Sequence, residues 1–113
     1  MQVYDEANAL ARAIRESEAV RELRKWREEV ERDETSRALM KEYKRLQMQL
    51  QLAAVAGAPA VETDTQRFQQ IGTLLFGVEA TRQALLLEMR VQQMMADIYK
   101  TLSDAAGLDL PGV

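Results

Sequence analysis

The residues of this chain best suited to metal or acid–base chemistry are two carboxylates in the segment "EEVERDE", residues 28–34. Glu28 and Glu31 are three positions apart, so a helix would present both on one face, where their oxygens could hold Mg²⁺. Helical nucleotide hydrolases need a second acidic pair on a facing helix, but neither Glu79 nor Glu88 has an acidic residue three positions later. A solvated charged face is therefore the favoured interpretation, and a degenerate nucleotide hydrolase is the least favoured alternative.

The side chains that most often carry catalysis or bind metals are absent, because the sequence has no histidine and no cysteine. This excludes thiol catalysis, disulfides, Cys/His zinc sites and thiolate-held iron–sulfur clusters. It also excludes the Glu-x-x-His motifs of di-iron helix bundles. We therefore expect a protein that is not an enzyme, with no catalytic residue, no metal site and no cofactor.

Four basic residues form a second cluster that could bind a ligand. Arg37, Lys41, Lys44 and Arg45 lie along one side of a predicted helix, and we call them the basic ridge. Positive charges in a line could meet the phosphates of RNA, so a helical RNA-binding accessory protein is an alternative function. The favoured interpretation is a solvated face that pairs with Glu42 and other acids. With a net charge of −3, direct nucleic-acid binding is not expected.

The composition predicts a single all-α domain over residues 1–113. Of the 113 residues 47% are hydrophobic and only 5% aromatic, and strong helix formers such as Leu, Ala, Glu and Arg dominate. No run of about 18 uninterrupted apolar residues is present, so no membrane insertion is expected. The acidic start "MQVYDEANAL" differs from the basic start of a signal peptide, and the lack of cysteine suits a reducing compartment. We expect a cytoplasmic protein.

The apolar spacing predicts about four to five helices in an elongated hairpin or bundle with two long antiparallel helices. A helix of about 28 residues is about 42 Å long, whereas a compact globule of 113 residues has a radius of gyration of about 13 Å. The long helices do not fit inside such a globule, and this is why an elongated arrangement is expected. Residues 57–63 are the predicted main connection between helices, and residues 108–113 are a predicted frayed tail.

Helix ends are predicted from capping residues. Ser17 and Asp33 are suited to the N-cap position, where a side-chain oxygen accepts from a free backbone N–H. Gly57 and Gly107 are predicted to end the two long helices, because glycine accepts the left-handed cap conformation. The pair Thr63 and Gln66 fits a capping box at the start of the fourth helix.

Apolar residues with helical spacing are the predicted core. They are Leu10, Ile14, Leu23, Trp26, Val30, Leu39, Tyr43, Leu46, Leu50, Phe68, Ile71, Leu75, Leu87, Val91, Met94, Ile98 and Leu102. Met95 and Tyr99 are turned by about 100° from the stripe that contains Ile98. We predict that Met95 and Tyr99 form an interaction face for a second chain, most simply the same protein in a symmetric dimer.

Three segments resemble the YlbF/YmcA family of small helical bacterial regulators. They are "VYDEANALARAIRES" (3–17), "RDETSRALMKEYKRLQMQLQ" (32–51) and "VQQMMADIYKTLSDAAGLDL" (91–110). Each is a packing pattern without a chemical signature, and together they span the length of the chain. The sequence departs from the family pattern at Glu34, where proline is usual, and at "FGVEA", where the family often has Asn-Pro.

The resemblance implies a non-enzymatic regulatory or adaptor protein that acts through protein–protein contacts. Family members work with related subunits in competence, biofilm formation and sporulation, and they modulate messenger-RNA processing by a membrane-anchored endoribonuclease. The partners implied are the chain itself, as a homodimer or higher oligomer, and paralogous family subunits. Some members join a complex that holds iron–sulfur clusters through cysteines, and this chain has no cysteine to contribute.

Overall fold

The computed structural model describes residues 1–108, and five α-helices account for most of them. The helices are α1 (Gln2–Glu16), α2 (Glu18–Arg32), α3 (Glu34–Val55), α4 (Glu62–Phe76) and α5 (Glu79–Ala106). The described part of the chain contains no strand, and the predicted all-α class is confirmed. The predicted tail lies outside the described residues except for Leu108.

The helices group into two compact units, and the single domain predicted over residues 1–113 includes both. The first unit contains residues 1–24 and the described residues from 85 onward, and the second contains residues 25–84. The first unit therefore holds α1 and most of α5. The second unit holds α3 and α4 together with the end of α2.

Side-chain caps at the two predicted positions begin α2 and α3. The hydroxyl of Ser17 donates to the carbonyl oxygen of Ile14 at 2.7 Å and accepts from the N–H of Val20 at 3.4 Å. The carboxylate of Asp33 accepts from the backbone N–H of Ser36 at 3.1 Å and from its hydroxyl at 2.6 Å. Each cap satisfies a first-turn backbone donor that has no partner within its helix.

Glycines follow the ends of the two longest helices, as predicted. Gly57 has φ +69° and Gly107 has φ +70°, which is the left-handed region that a side chain disfavours. Beside Gly57, the N–H of Ala58 donates to the carbonyl oxygen of Ala53 at 3.0 Å, and the same pattern recurs beside Gly107. This is the Schellman motif, which satisfies carbonyl groups in the last helical turn.

The start of α4 differs from the prediction. The helix begins at Glu62 after Val61, which supplies no side-chain cap, so the predicted capping box of Thr63 and Gln66 is wrong. Glu62 and Asp64 instead place negative charge in the first turn, which the positive end of the helix dipole favours. The side chain of Gln66 donates to the carboxylate of Glu62 at 3.5 Å, one turn away.

The break between α4 and α5 depends on two polar side chains of α5. Thr81 is fully buried, and its hydroxyl donates to the carbonyl oxygen of Leu75. The guanidinium of Arg82 donates to the carbonyl oxygen of Phe76 at 3.0 Å. Both acceptors belong to the last turn of α4, where carbonyl groups have no partner within the helix. The two side chains therefore complete the hydrogen bonding at this break.

The core of the second unit lies between α3 and α4. Leu46 of α3 is 0% exposed, and Ile71 and Leu75 of α4 are also buried. The rings of Tyr43 and Phe68 stack beside them, with centroids 4.4 Å apart. These contacts join two helices that the connection at residues 56–61 makes adjacent along the chain.

The predicted core residues differ in their burial. Leu23, Val30, Leu46, Ile71 and Leu75 are buried. The half-buried ones are Leu10, Ile14, Trp26, Leu39, Tyr43, Leu50, Phe68, Leu87, Val91, Met94 and Ile98. Leu102 is 53% exposed and is not a core residue, because it lines an open groove. Apolar periodicity alone missed several buried positions, namely Ala19, Ser36, Thr81, Leu85 and Ser103.

Leu46→Ala should destabilise the protein strongly, because the substitution leaves a cavity between α3 and α4. We expect a loss of about 2–5 kcal/mol in the free energy of unfolding, measured by urea denaturation. Leu74→Ala is the matched control, since Leu74 lies on α4 and is 57% exposed. Similar losses from the two variants would contradict the placement of the core.

Asp33 should make the stability of α3 depend on pH. The hydroxyl of Ser36, and next its backbone N–H, hold the pKa of the Asp33 carboxyl below its usual value. A carboxyl with a lowered folded pKa stabilises the fold above its unfolded pKa, and the contribution is lost as pH falls through the folded pKa. Urea midpoints should therefore fall more steeply below about pH 4 in the parent than in Asp33→Asn, whose amide oxygen caps without titrating. Parallel pH profiles would refute this role.

Candidate functional site

An apolar groove in the first unit lies between α1 and the C-terminal half of α5, and we call it the α1–α5 groove. Its volume is about 830 Å³. The larger apolar side chains along it are Val3, Tyr4, Leu10 and Ile14 from α1, and Met95, Ile98, Tyr99 and Leu102 from α5. Glu6 is the charged residue in the lining. The groove therefore presents an apolar surface with little charge.

The walls of the groove follow from helical periodicity. On α1 the spacing from Val3 through Leu10 to Ile14 keeps the apolar side chains on one face, while charged residues occupy the other. α1 nevertheless contains no buried residue, so α5 covers its apolar face only in part. An amphipathic helix with this pattern usually buries its apolar face, and the incomplete cover is what leaves the groove open.

Large apolar side chains are exposed around the groove. Val3 is 69% exposed and Tyr4 67%, while Tyr99 and Leu102 are 50% and 53% exposed. Single exposed apolar residues are normal on a protein surface, but several in one concave patch mark an interaction site. The chemistry of the groove suits apolar contact, because most of its lining side chains are apolar or aromatic.

The structure places both residues of the predicted interaction face in this groove. Met95 is half-buried and Tyr99 is half exposed, and both lie in the α5 wall together with Ile98. Their contact with a second chain stays a prediction. In the opposite wall, Leu10 and Ile14 were predicted only as core residues, and Tyr4 was not predicted at all. An aromatic residue at the start of an amphipathic helix was a signal that could have indicated Tyr4.

The basic ridge lies on α3 in the second unit. The guanidinium of Arg37 donates to the carbonyl oxygen of Glu31 at 3.0 Å. Arg45 pairs with Glu42 through its Nε at 3.0 Å, and Arg67 of α4 reaches the same carboxylate at 3.3 Å. One carboxylate therefore serves two guanidinium groups, and Arg45 is the main reason why the pKa of Glu42 lies below its usual value. Pairing with Glu42 agrees with the sequence-based interpretation.

The two carboxylates considered as a metal-binding pair lie outside any larger carboxylate cluster in the described residues. Glu28 and Glu31 are both exposed on α2. Within residues 1–108 no group of three or more carboxylates is close enough together to hold a metal ion. In the same part of the chain, none of the helices has the length and apolar character needed to cross a membrane.

Comparison with known proteins decides the family. A family model described as "Control of competence regulator ComK, YlbF/YmcA" matches residues 3–105. The chain belongs to the YlbF/YmcA family. The predicted resemblance is confirmed over nearly the whole sequence.

Individual relatives of this YlbF/YmcA-family chain extend over similar lengths. A UPF0342 protein of Alkalihalophilus pseudofirmus is 31% identical over 102 residues, which cover 90% of this chain and 86% of that protein. A UPF0342 protein of Symbiobacterium thermophilum is 26% identical over 109 residues, covering 96% and 97%. A solved structure titled protein of unknown function (DUF964) from Bacillus stearothermophilus superposes with a TM-score of 0.79 at 22% identity, covering 95% and 94%. At that identity the likeness shows a shared fold.

The α1–α5 groove should bind an apolar dye. We expect the fluorescence of anilinonaphthalene sulfonate to rise with the parent protein and to fall at least about two-fold with Tyr4→Gln/Tyr99→Gln, because this variant removes exposed aromatic surface without adding charge. Far-UV circular dichroism should stay unchanged, since both rings are half exposed or more. Leu74→Gln, on an exposed position of α4, is the control. A dye signal that Leu74→Gln lowers equally would place the binding surface elsewhere.

Proposed function

We propose that this chain is a non-enzymatic regulatory adaptor that acts through protein–protein contacts at the α1–α5 groove. The observation that carries the proposal is an amphipathic α1 whose 15 residues include none that is buried. A helix of this length is marginal by itself in water, and most helical stability in proteins comes from packing of the apolar face. A partner that fills the groove would supply the missing cover.

The proposed partner in the groove is a second copy of this chain or a paralogous family subunit. A two-fold arrangement lets the same surface serve both copies, so one apolar groove is sufficient for a closed dimer. Tyr4 and Tyr99 are the proposed anchors, because large aromatic side chains contribute most to binding when they are desolvated. A paralogous subunit with a similar apolar face could replace the second copy.

The proposed cellular role is regulation of developmental programmes such as competence, biofilm formation and sporulation. Membership of a family described by control of the competence regulator ComK supports this proposal. We propose that the chain acts in the cytoplasm on messenger-RNA processing, by contact with protein subunits of the endoribonuclease machinery. The chain would position partners and would leave the cleavage chemistry to them.

A second candidate is an RNA-binding accessory role for the basic ridge. The observation in its favour is that Arg37, Lys41 and Arg45 are exposed on one helix. Salt distinguishes the two candidates. Binding to phosphates weakens steeply with salt, because it depends on the release of counterions, whereas association through apolar surface persists.

Met95→Asp/Tyr99→Asp should convert an oligomer to a monomer. Chromatography with light scattering should give the parent a mass of two or more copies at low and high salt, and give the double variant the mass of one copy. Met89→Asp is the matched control, because Met89 is 62% exposed on α5 and does not line the groove.

The helix content of the double variant shows whether a change in mass comes from a lost interface or from unfolding. The double variant should keep the far-UV circular dichroism of the parent. If it keeps the parent's mass as well, self-association through the groove is wrong. If it loses helicity together with mass, the two residues support the fold of one chain and do not form an interaction face.

A further inference from the structure

α3 carries two lines of side chains at the spacing of a helix-packing face. The inner line contains Leu39, Tyr43, Leu46 and Leu50, and it includes the residues that pack against α4. The outer line contains Arg37, Lys41, Lys44, Met48, Leu52 and Val55, with successive spacings of 4, 3, 4, 4 and 3 residues. We call it the outer seam. By the helical period it lies about 180° from the inner line.

The C-terminal half of the outer seam is apolar and exposed. Met48 is 56% exposed, Leu52 59% and Val55 88%. No charged residue occurs anywhere in residues 46–61. The solvated face of a helix usually carries charged or polar residues, as the first half of the outer seam does. Packing within this unit does not account for the apolar half of the outer seam, because its three apolar side chains remain exposed.

The N-terminal half of the outer seam keeps positive charge. The carboxylate of Glu42 on α3 is already shared by Arg45 and Arg67. Arg37 donates to a backbone carbonyl, which does not cancel its charge, and Lys41 is exposed. A partner that contributes carboxylates here would meet cations, and the same partner would meet apolar side chains one to three turns further along.

We propose that the outer seam docks an amphipathic helix of a partner protein whose contact face is acidic in one half and apolar in the other. The spacing favours a helix as the occupant, because recognition of a helix uses anchors at i, i+3, i+4 and i+7. From Arg37 to Val55 the seam is about 27 Å long, which corresponds to five turns. One helix on one helix is a small interface, so a dissociation constant on the order of micromolar is expected.

Other anionic partners match the outer seam less well. RNA phosphates would meet the basic half but would leave Met48, Leu52 and Val55 without a use. An anionic membrane would meet the apolar end, but Glu62 and Asp64 stand at the start of α4 next to the apolar connection and would be repelled. A partner helix can contact both the cationic half and the apolar half of the outer seam, because its own side chains also lie along a straight line. This site goes beyond the proposed function, because it lies on α3 in the other unit and does not use the groove.

The experiment is a selection from a library of displayed helices. An alanine-rich helix of the same 22-residue length as α3 is varied at six positions with the spacing of the outer seam, and it is selected on the full chain. The library is first depleted on the variant Lys41→Glu/Leu52→Gln/Val55→Gln, so that helices bound elsewhere are removed. We expect enriched helices to carry Asp or Glu at the positions that face Arg37 and Lys41, and apolar residues at the positions that face the three exposed apolar side chains of the seam.

Variants of the protein then test each half of the outer seam with an enriched peptide. Lys41→Glu should weaken binding about five-fold, as expected when an exposed ion pair becomes a repulsion. Leu52→Gln/Val55→Gln should weaken it about ten-fold, through loss of apolar contact. Lys100→Glu and Met89→Gln are the matched controls, because both positions are exposed on α5, and they should leave binding unchanged. Circular dichroism confirms that each variant keeps its helicity.

Three results would overturn the proposal. The first is an empty pool after depletion, or enriched helices without the divided acidic and apolar pattern. The second is binding of a single-stranded RNA that Lys41→Glu weakens and Leu52→Gln/Val55→Gln leaves intact, which would make the seam a phosphate-binding surface. The third is binding of anionic phosphatidylglycerol vesicles that Leu52→Gln/Val55→Gln abolishes while no helix is enriched, which would make the occupant a lipid surface.

Discussion

The need to cover the apolar face of each helix governs this protein, because hydrophobic burial is the main favourable term in folding. The inner line of α3 meets this need within the chain, since α4 follows after a short connection and packs against it, and Leu46 is fully buried. α1 does not meet it, because α5 covers its apolar face only in part. The inner line of α3 is therefore covered within the chain, whereas the apolar face of α1 is left partly exposed.

Helix existence and most helix ends could be predicted from the sequence, because the signals are local. Ser17, Asp33 and Gly57 act within one turn of the chain, and each caps a helix as their residue types indicate. The buried hydroxyl of Thr81 could not be predicted in this way. Its acceptor is a carbonyl group of the preceding helix, and that acceptor exists only after α4 and α5 have formed their break.

The candidate site could be predicted in part. Met95 and Tyr99 stood out because they flank a regular apolar stripe, and the structure places both in the groove. The wall formed by Tyr4 could not be assigned, since periodicity shows which residues share a helix face but not which helices meet. Leu102 shows that periodicity also does not predict how far a residue is buried. It continues the apolar stripe of α5 perfectly, yet its position on an open groove leaves it exposed.

The shortage of buried residues on α1 has a consequence for the lifetime of the chain. A segment with few buried contacts opens locally at a low free-energy cost, and a protease cleaves such a segment in proportion to its open population. A partner that covers α1 lowers that population by mass action. With the proposed partner, copies that lack it would be cleaved faster than assembled ones, so the amount of intact protein would follow the amount of that partner.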